Sequence, residues 1–243
     1  MKTANRYVTI LHFRLFQIFY EVFSRIVIHQ RFEFLYKHFI SNKQPYKLII
    51  IGAHDGISHD SIYKLLHADK FSGIFIEPNK LYFNKLKQNY PHSENIIFKN
   101  IAIHNSMKTM ILNSVKDTSL DKYPDWADGL GSFNKEHLLK NKIQPEDIDS
   151  VTVDCETLMD VISNNPDFKN IRYLQIDTEG YDYEIIISLN MDIIRPKIIR
   201  FEYVNLSSVE IKESIAYLKK YNYYTFYDNI DLVAVNTCNF FRS

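Results

Sequence analysis

Two apolar runs, Lys47-Leu-Ile-Ile-Ile51 and Gly73-Ile-Phe-Ile76, each end abruptly in residues that cannot continue a packed core. An unbroken run of branched apolar residues reads as a strand buried on both faces, the mark of a parallel sheet covered by helices. The first run leads into Gly52-Ala53-His54-Asp55-Gly56, whose two glycines permit a sharp turn and close approach of backbone to a ligand. The second leads into Glu77-Pro78, an acid at a strand's carboxyl end. In open α/β sheets ligands sit beyond those ends, where a carboxylate can accept hydrogen bonds from a ribose. The two segments together point to a nucleoside-containing ligand above a doubly wound sheet.

The alternation continues along the chain. Strands are expected at Lys47–Ile51, Gly73–Ile76, Asn95–Lys99, Tyr173–Asp177 and Lys197–Tyr203. Between them come helices through Ile62–Leu66, Leu81–Leu86, Tyr183–Leu189 and Val209–Tyr221. A hairpin, Tyr223–Tyr227 with Asp231–Asn236, ends the pattern around Asp228-Asn229. This implies a Rossmann-like α/β fold over residues 45–243, a mostly parallel seven-stranded sheet with a C-terminal antiparallel hairpin. Residues 114–149 break the periodicity with Asp, Pro and Gly and carry one helix near Phe133–Lys140. Extended pieces at Met110–Leu112 and Ser150–Asp154 flank them, and a short helix at Glu156–Ile162 follows. A connection this long inside a compact domain reads as a variable lid or substrate loop.

Residues 1–44 form an expected N-terminal helical extension, in which Phe13, Phe16, Phe19, Tyr20, Phe23, Val27, Phe34 and Leu35 recur at helical spacing. Packing on the sheet is the expected use of this stripe, with a homodimer contact or a membrane-surface or partner contact as alternatives. At 243 residues the chain has room for one large α/β domain and an appendage. Formal charge is zero, so bulk electrostatics gives no reason to expect nucleic acid as a partner. Cys155 and Cys238 form no C-x-x-C pair, which argues against zinc or a disulfide framework and fits a cytoplasmic setting. Arg14, Glu21 and Arg25 interrupt any secretory h-region, and no apolar stretch is long enough to span a bilayer.

The loop chemistry narrows the ligand. There is no G-x-x-x-x-G-K-[ST], and the loop lacks the third glycine of the dinucleotide fingerprint. Asp55 would repel a pyrophosphate placed there. An acidic, glycine-bearing loop suits a phosphate-free ligand with a positive end, which describes S-adenosyl-L-methionine.

The segment Ile171-Arg-Tyr-Leu-Gln-Ile-Asp177-Thr-Glu179-Gly180 closely resembles the K-I-D-V-E-G signature of the FkbM family of methyltransferases. Other segments match that family in order. Gly52 to Gly56 resembles its cofactor loop, Ile76-Glu77-Pro78 its ribose-binding strand end, and Asn100-Ile101-Ala102-Ile103 its adenine-side motif. Thr152-Val153 through Thr157-Leu158 and Arg200-Phe201-Glu202 also match, so the likeness runs from Tyr46 to Asn236. The resemblance implies a class I methyltransferase fold with S-adenosyl-L-methionine as cofactor. It implies cofactor contacts from Gly52, Ala53, His54, Asp55, Gly56, Glu77, Pro78, Asn100, Ile101, Ala102, Asp177 and Glu179. Two positions depart from the pattern: Ile50, where the family usually has an acid, and Gln175, where it usually has lysine. His54, Asp55 or Asp177 is then left to serve the methionine end.

Methyl transfer needs an attacking lone pair in line with the S–CH₃ bond, and a hydroxyl acceptor gains from deprotonation as it attacks. His54 and Asp177 are the expected catalytic residues, with His137 a further base and Trp126 a stacking face for a sugar ring. No metal is expected, although Asp177, Glu179 and Glu202 carry oxygen ligands of the kind Mg²⁺ takes. The expected activity is O-methylation of a sugar hydroxyl in a surface polysaccharide or glycolipid. A small natural product or lipid is an alternative acceptor, and a non-catalytic cofactor-binding scaffold an alternative role.

Overall fold

The computed structural model describes residues 31–37, 40, 45–58, 62–66, 70–91 and 94–237. Phe13, Phe16, Phe19, Tyr20, Phe23, Val27 and Cys238 lie outside the described residues. In chain order the elements begin with α1 (Arg31–Tyr36), β1 (Tyr46–Ile51), α2 (Tyr63–Leu66), β2 (Phe71–Ile76), α3 (Lys80–Asn89) and β3 (Ile96–Lys99). Then follow β4 (Ala102–Ile103), β5 (Thr109–Val115), β6 (Gly131–Ser132), α4 (Lys135–Lys140), β7 (Ile148–Glu156) and α5 (Leu158–Asn164). The last are β8 (Tyr173–Ile176), α6 (Asp182–Ser188), β9 (Ile198–Glu202), α7 (Ser208–Lys220), β10 (Tyr223–Asp228) and β11 (Asp231–Asn236). No helix among the described residues is long and apolar enough to cross a membrane.

The main sheet has seven strands in the order β10-β11-β9-β8-β1-β2-β3. β1, β2, β3, β8 and β9 pair in parallel, and β11 runs antiparallel between β9 and β10. Both faces are covered, which is why the strands read as unbroken apolar runs. Ile49, Ile51, Leu174 and Ile199 pack with Val161, Ile185 and Leu218 on one side. On the other, Leu48, Ile50, Tyr173 and Ile198 meet Leu35, Tyr36, Leu66 and Leu86. Burying each such side chain is worth roughly 1.5–3 kcal/mol. Leu35 and Tyr36 thus pack against the sheet.

A second sheet, ordered β4-β7-β5-β6, brackets the region expected to be irregular, which itself contributes β6. β5 and β7 pair antiparallel from Thr109↔Asp154 to Val115↔Ile148, so the two extended pieces are longer than their sequence indicates. Asp149 to Thr152 are all exposed, so burial alternates only over the second half of β7, where Val153 and Cys155 turn inward. The excursion carries its own core of Val115, Ala127, Leu130, Leu138, Ile143 and Ile148. Asp147 ties it down by accepting from Lys122, Tyr123 and Ser119, bonds that hold its carboxyl at about 2.

The turn after β1 is set by contact. Gly52 has φ 75°, and a Cβ added there would lie 1.7 Å from the Asp177 carbonyl oxygen. Gly56 also has a positive φ, with Leu86 and Tyr90 side-chain atoms 2.6 Å from any added Cβ. Gly52→Ala should therefore destabilise the fold by more than about 3 kcal/mol, combining left-handed backbone strain with overpacking. Gly131→Ala, whose nearest neighbour would be 3.6 Å away, should stay within about 1 kcal/mol of wild type. Chemical denaturation of both variants checks the contrast, and equal stabilities would refute the contact.

Candidate active site

The carboxyl ends of β1, β2 and β8 are stitched together by backbone. Gly52 and Ala53 both donate to the Ile76 carbonyl, at 2.9 and 3.0 Å, and the Asp177 amide donates to Ile51 at 3.0 Å. These bonds hold Gly52, Glu77 and Asp177 around a cleft of about 360 Å³. Glu77 is buried at its base. One carboxylate oxygen accepts from the His54 amide at 2.9 Å and the other from the Asn79 amide at 2.7 Å. Burial pushes its carboxyl up to about 7, against the pull of those two bonds. Each oxygen keeps a second lone pair, so a vicinal diol can still be bound. Beside it Ile76, Pro78, Ile101, Ala102 and Ile103 make an apolar wall wide enough for a flat ring.

Other residues of the expected site stand elsewhere. Asn100 does not line the cleft; its amide donates to the Glu77 and Pro78 carbonyls, at 2.9 Å each, and holds that turn from behind. Asp55 accepts from the Ile57 and Ser58 amides and the Ser58 hydroxyl, so its carboxylate closes its own turn. Those bonds draw its carboxyl down even though burial acts to raise it. Gly56 packs on α3. The His54 ring lies against Tyr82, centroids 3.9 Å apart, with Gly129 of the excursion at its edge. It borders the cleft as a wedge between α3 and the excursion, and the Tyr82 hydroxyl closes that contact by donating to Asp128.

The β8 and β9 end is acidic. Oxygens of Asp177, Glu179 and Glu202 lie within 4.8 Å of one another. The Asn205 amide donates to both Glu179 and Glu202, and the His137 Nε2 stands 3.4 Å from Glu179. Asp177 reaches solvent through the cleft yet is packed about by protein. That enclosure, then Glu202, Asp182, Glu179 and Asp231, raise its carboxyl well above the ordinary range. Burial, then Glu179 and Asp182, push Glu202 to about 8; burial pushes Asp182 to about 6. Among the described lining residues there are five carboxylates, from Glu77, Asp128, Asp177, Glu179 and Glu202, and no lysine or arginine. Where these acids are ionised, they disfavour a polyphosphate in the cleft.

A protein-family model described as the methyltransferase FkbM domain matches residues 51–224. The chain belongs to the FkbM methyltransferase family. Among solved structures it is similar to methyltransferase FkbM from Methylobacillus flagellatus KT, at 12% identity and a TM-score of 0.46. That match covers 78% of this chain and 43% of the other, so this chain spans less than half of its length. An rRNA methylase from Streptococcus thermophilus matches at 9% identity and a TM-score of 0.42, over 86% of this chain and 95% of that one. Aeropyrum pernix fibrillarin, solved with natively bound S-adenosyl-L-methionine, matches at 11% identity and a TM-score of 0.38, over 79% and 67%. No curated protein matches the sequence.

In this member of the FkbM methyltransferase family, Ile50 and Gln175, the two departures from the pattern it resembles, are neighbours. Ile50 on β1 and Gln175 on β8 are register partners. An acid and a lysine there would neutralise each other, so replacing both together leaves no unpaired buried charge. Tyr82, Asp128 and Asn205 escaped the sequence reading because their roles depend on contacts between distant segments.

The raised acids make stability depend on pH with a definite sign. Between the ordinary carboxyl range and the values of Glu77, Asp182 and Glu202, the folded chain binds more protons than the unfolded one. Stability should then fall as pH rises from about 4.5 to about 8. Glu202→Gln should flatten this slope and raise stability at pH 8 above wild type. Denaturation series at several pH values test this; a wild type no less stable at pH 8 than at pH 6 would contradict the charge assignment.

Proposed function

We propose that this chain is an S-adenosyl-L-methionine-dependent O-methyltransferase whose acceptor is a sugar hydroxyl of a surface polysaccharide or glycolipid. The observation that carries the cofactor reading is Glu77, buried at the end of β2 with each carboxylate oxygen fixed by a backbone amide. That geometry suits a ribose diol, and the adjoining wall of Ile76, Pro78, Ile101 and Ala102 suits an adenine. Gly52 and Ala53 let the backbone pass close to the rest of the ligand. The acids and the lack of basic lining side chains suit a sulfonium and an ammonium. Bound there, the cofactor supplies an activated methyl group.

The chain's own work is then to bind, align and take a proton. Asp177 opens into the cleft beside Glu179 and Glu202, where it can orient an acceptor hydroxyl and accept its proton. His54, packed between Tyr82 and Gly129, is suited to holding the loop in place. Trp126 is half exposed at the cleft mouth and offers a face to a sugar ring. A cleft edged by acids disfavours a phosphate backbone, which supports a glycan or small-molecule acceptor over nucleic acid. The buried thiol of Cys155 accords with a cytoplasmic setting.

Calorimetry with S-adenosylhomocysteine tests the reading. Glu77→Gln, nearly isosteric, should weaken binding by about ten- to a hundredfold, the usual loss for a charged hydrogen-bond acceptor. Wild-type affinity should rise from pH 6 to pH 8, because a diol is bound best by the ionised Glu77, whose carboxyl titrates at about 7. A folded Glu77→Gln variant with unchanged affinity would move the ribose elsewhere.

A further inference from the structure

The acidic cleft leaves one end of the proposed cofactor without an obvious partner. An ammonium is served by Asp177 and its neighbours, but the α-carboxylate beside it needs a hydrogen-bond donor and finds no lysine or arginine among the described lining residues. Most of the lining donors are already engaged. The Gly52 and Ala53 amides are bonded to Ile76, and the hydroxyls of Ser58, Thr178 and Tyr82 to Asp55, Asp182 and Asp128. The Asn205 amide gives its hydrogens to Glu179 and Glu202.

Gln175 differs. It lines the cleft from β8 and is only 9% exposed. Its Oε1 accepts from the Tyr173 hydroxyl at 2.8 Å, which turns Nε2 away from that bond, and Nε2 has no hydrogen bond among the described residues. Tyr173 is itself fully buried, its ring edge-on to Tyr36 with centroids 5.4 Å apart, so the amide is held by a rigid support. Its register partner Ile50 is apolar and offers nothing for the amide to bind. An amide N–H that opens on the cleft wall with no protein partner is left to donate to a ligand bound there.

We propose that the Gln175 amide is the carboxylate-binding donor for the amino-acid end of S-adenosyl-L-methionine, an inference that rests on the cofactor reading above. Gln175 is a positioning residue: it fixes the amino-acid arm so that the sulfonium end is held near Asp177. A neutral donor does this without adding a cation to the site.

The test compares two ligands that share adenosine and thioether but differ in the amino-acid arm. S-adenosylhomocysteine has the arm, and 5′-deoxy-5′-methylthioadenosine lacks it. Both are titrated calorimetrically into wild type, Gln175→Met and Tyr173→Phe, the last keeping the packing while releasing the amide. Gln175→Met should weaken S-adenosylhomocysteine by about tenfold or more and leave methylthioadenosine within about twofold. Tyr173→Phe should give a smaller loss of the same selectivity. Equal changes for the two ligands, or none for either, would overturn the role of Gln175 while leaving the cofactor reading intact. A wild type that binds neither ligand would refute the cofactor reading itself.

Discussion

The site depends on one close backbone contact, that of Gly52 against the carbonyl of Asp177. A residue with a side chain would hold the two strand ends apart. Without one, β1 and β8 finish at the same level, and the Gly52 and Ala53 amides bond the end of β2. Three parallel strands thus end together, each with its own chemistry: a loop of backbone, a buried Glu77, and the acids around Asp177. Helices on both faces of the sheet make the strand ends rigid, and the side chains at those ends inherit that rigidity.

The site is assembled at a cost in stability. Glu77, Asp182 and Glu202 are raised above their ordinary range foremost by burial, Asp177 by the protein packed about it, and like charge adds to it at Asp177 and Glu202. Above neutral pH the described lining of the cleft carries acids that no lysine or arginine in it neutralises. A cationic ligand relieves this, so ligand binding and the charge state of the cleft are linked. The excursion between β5 and β7 adds the second wall. Its Asp128 meets Tyr82, Gly129 meets His54, and His137 stands beside Glu179, so the cofactor side and the outer wall share contacts.

Much of the fold was legible in the sequence because strands buried on both faces write themselves as unbroken apolar runs. The order of segments around Gly52, Glu77 and Asp177 resembles the FkbM pattern, and the family match spans the same region. The second sheet was legible only as two separate extended pieces: Asp149 to Thr152 are exposed, and nothing local to either piece records its pairing with the other. At the site, residue type identified the turn but not its division of labour. Gly52 and Glu77 border the cleft as expected, whereas Asn100, Asp55 and Gly56 face its supporting structure. That split depends on which way short polar side chains turn, and the local hydrogen bonds that decide it appear only in three dimensions. Ile50 and Gln175 stand far apart in the sequence, and register sets them side by side.

On the proposed function, the cleft above β1, β2 and β8 holds an adenosyl cofactor by its ribose. A crystal structure with S-adenosylhomocysteine tests it most directly. Both ribose hydroxyls should lie within about 3 Å of the Glu77 carboxylate, with the adenine against Ile101. Ligand density away from Glu77, or a ribose bound by other side chains, would contradict it.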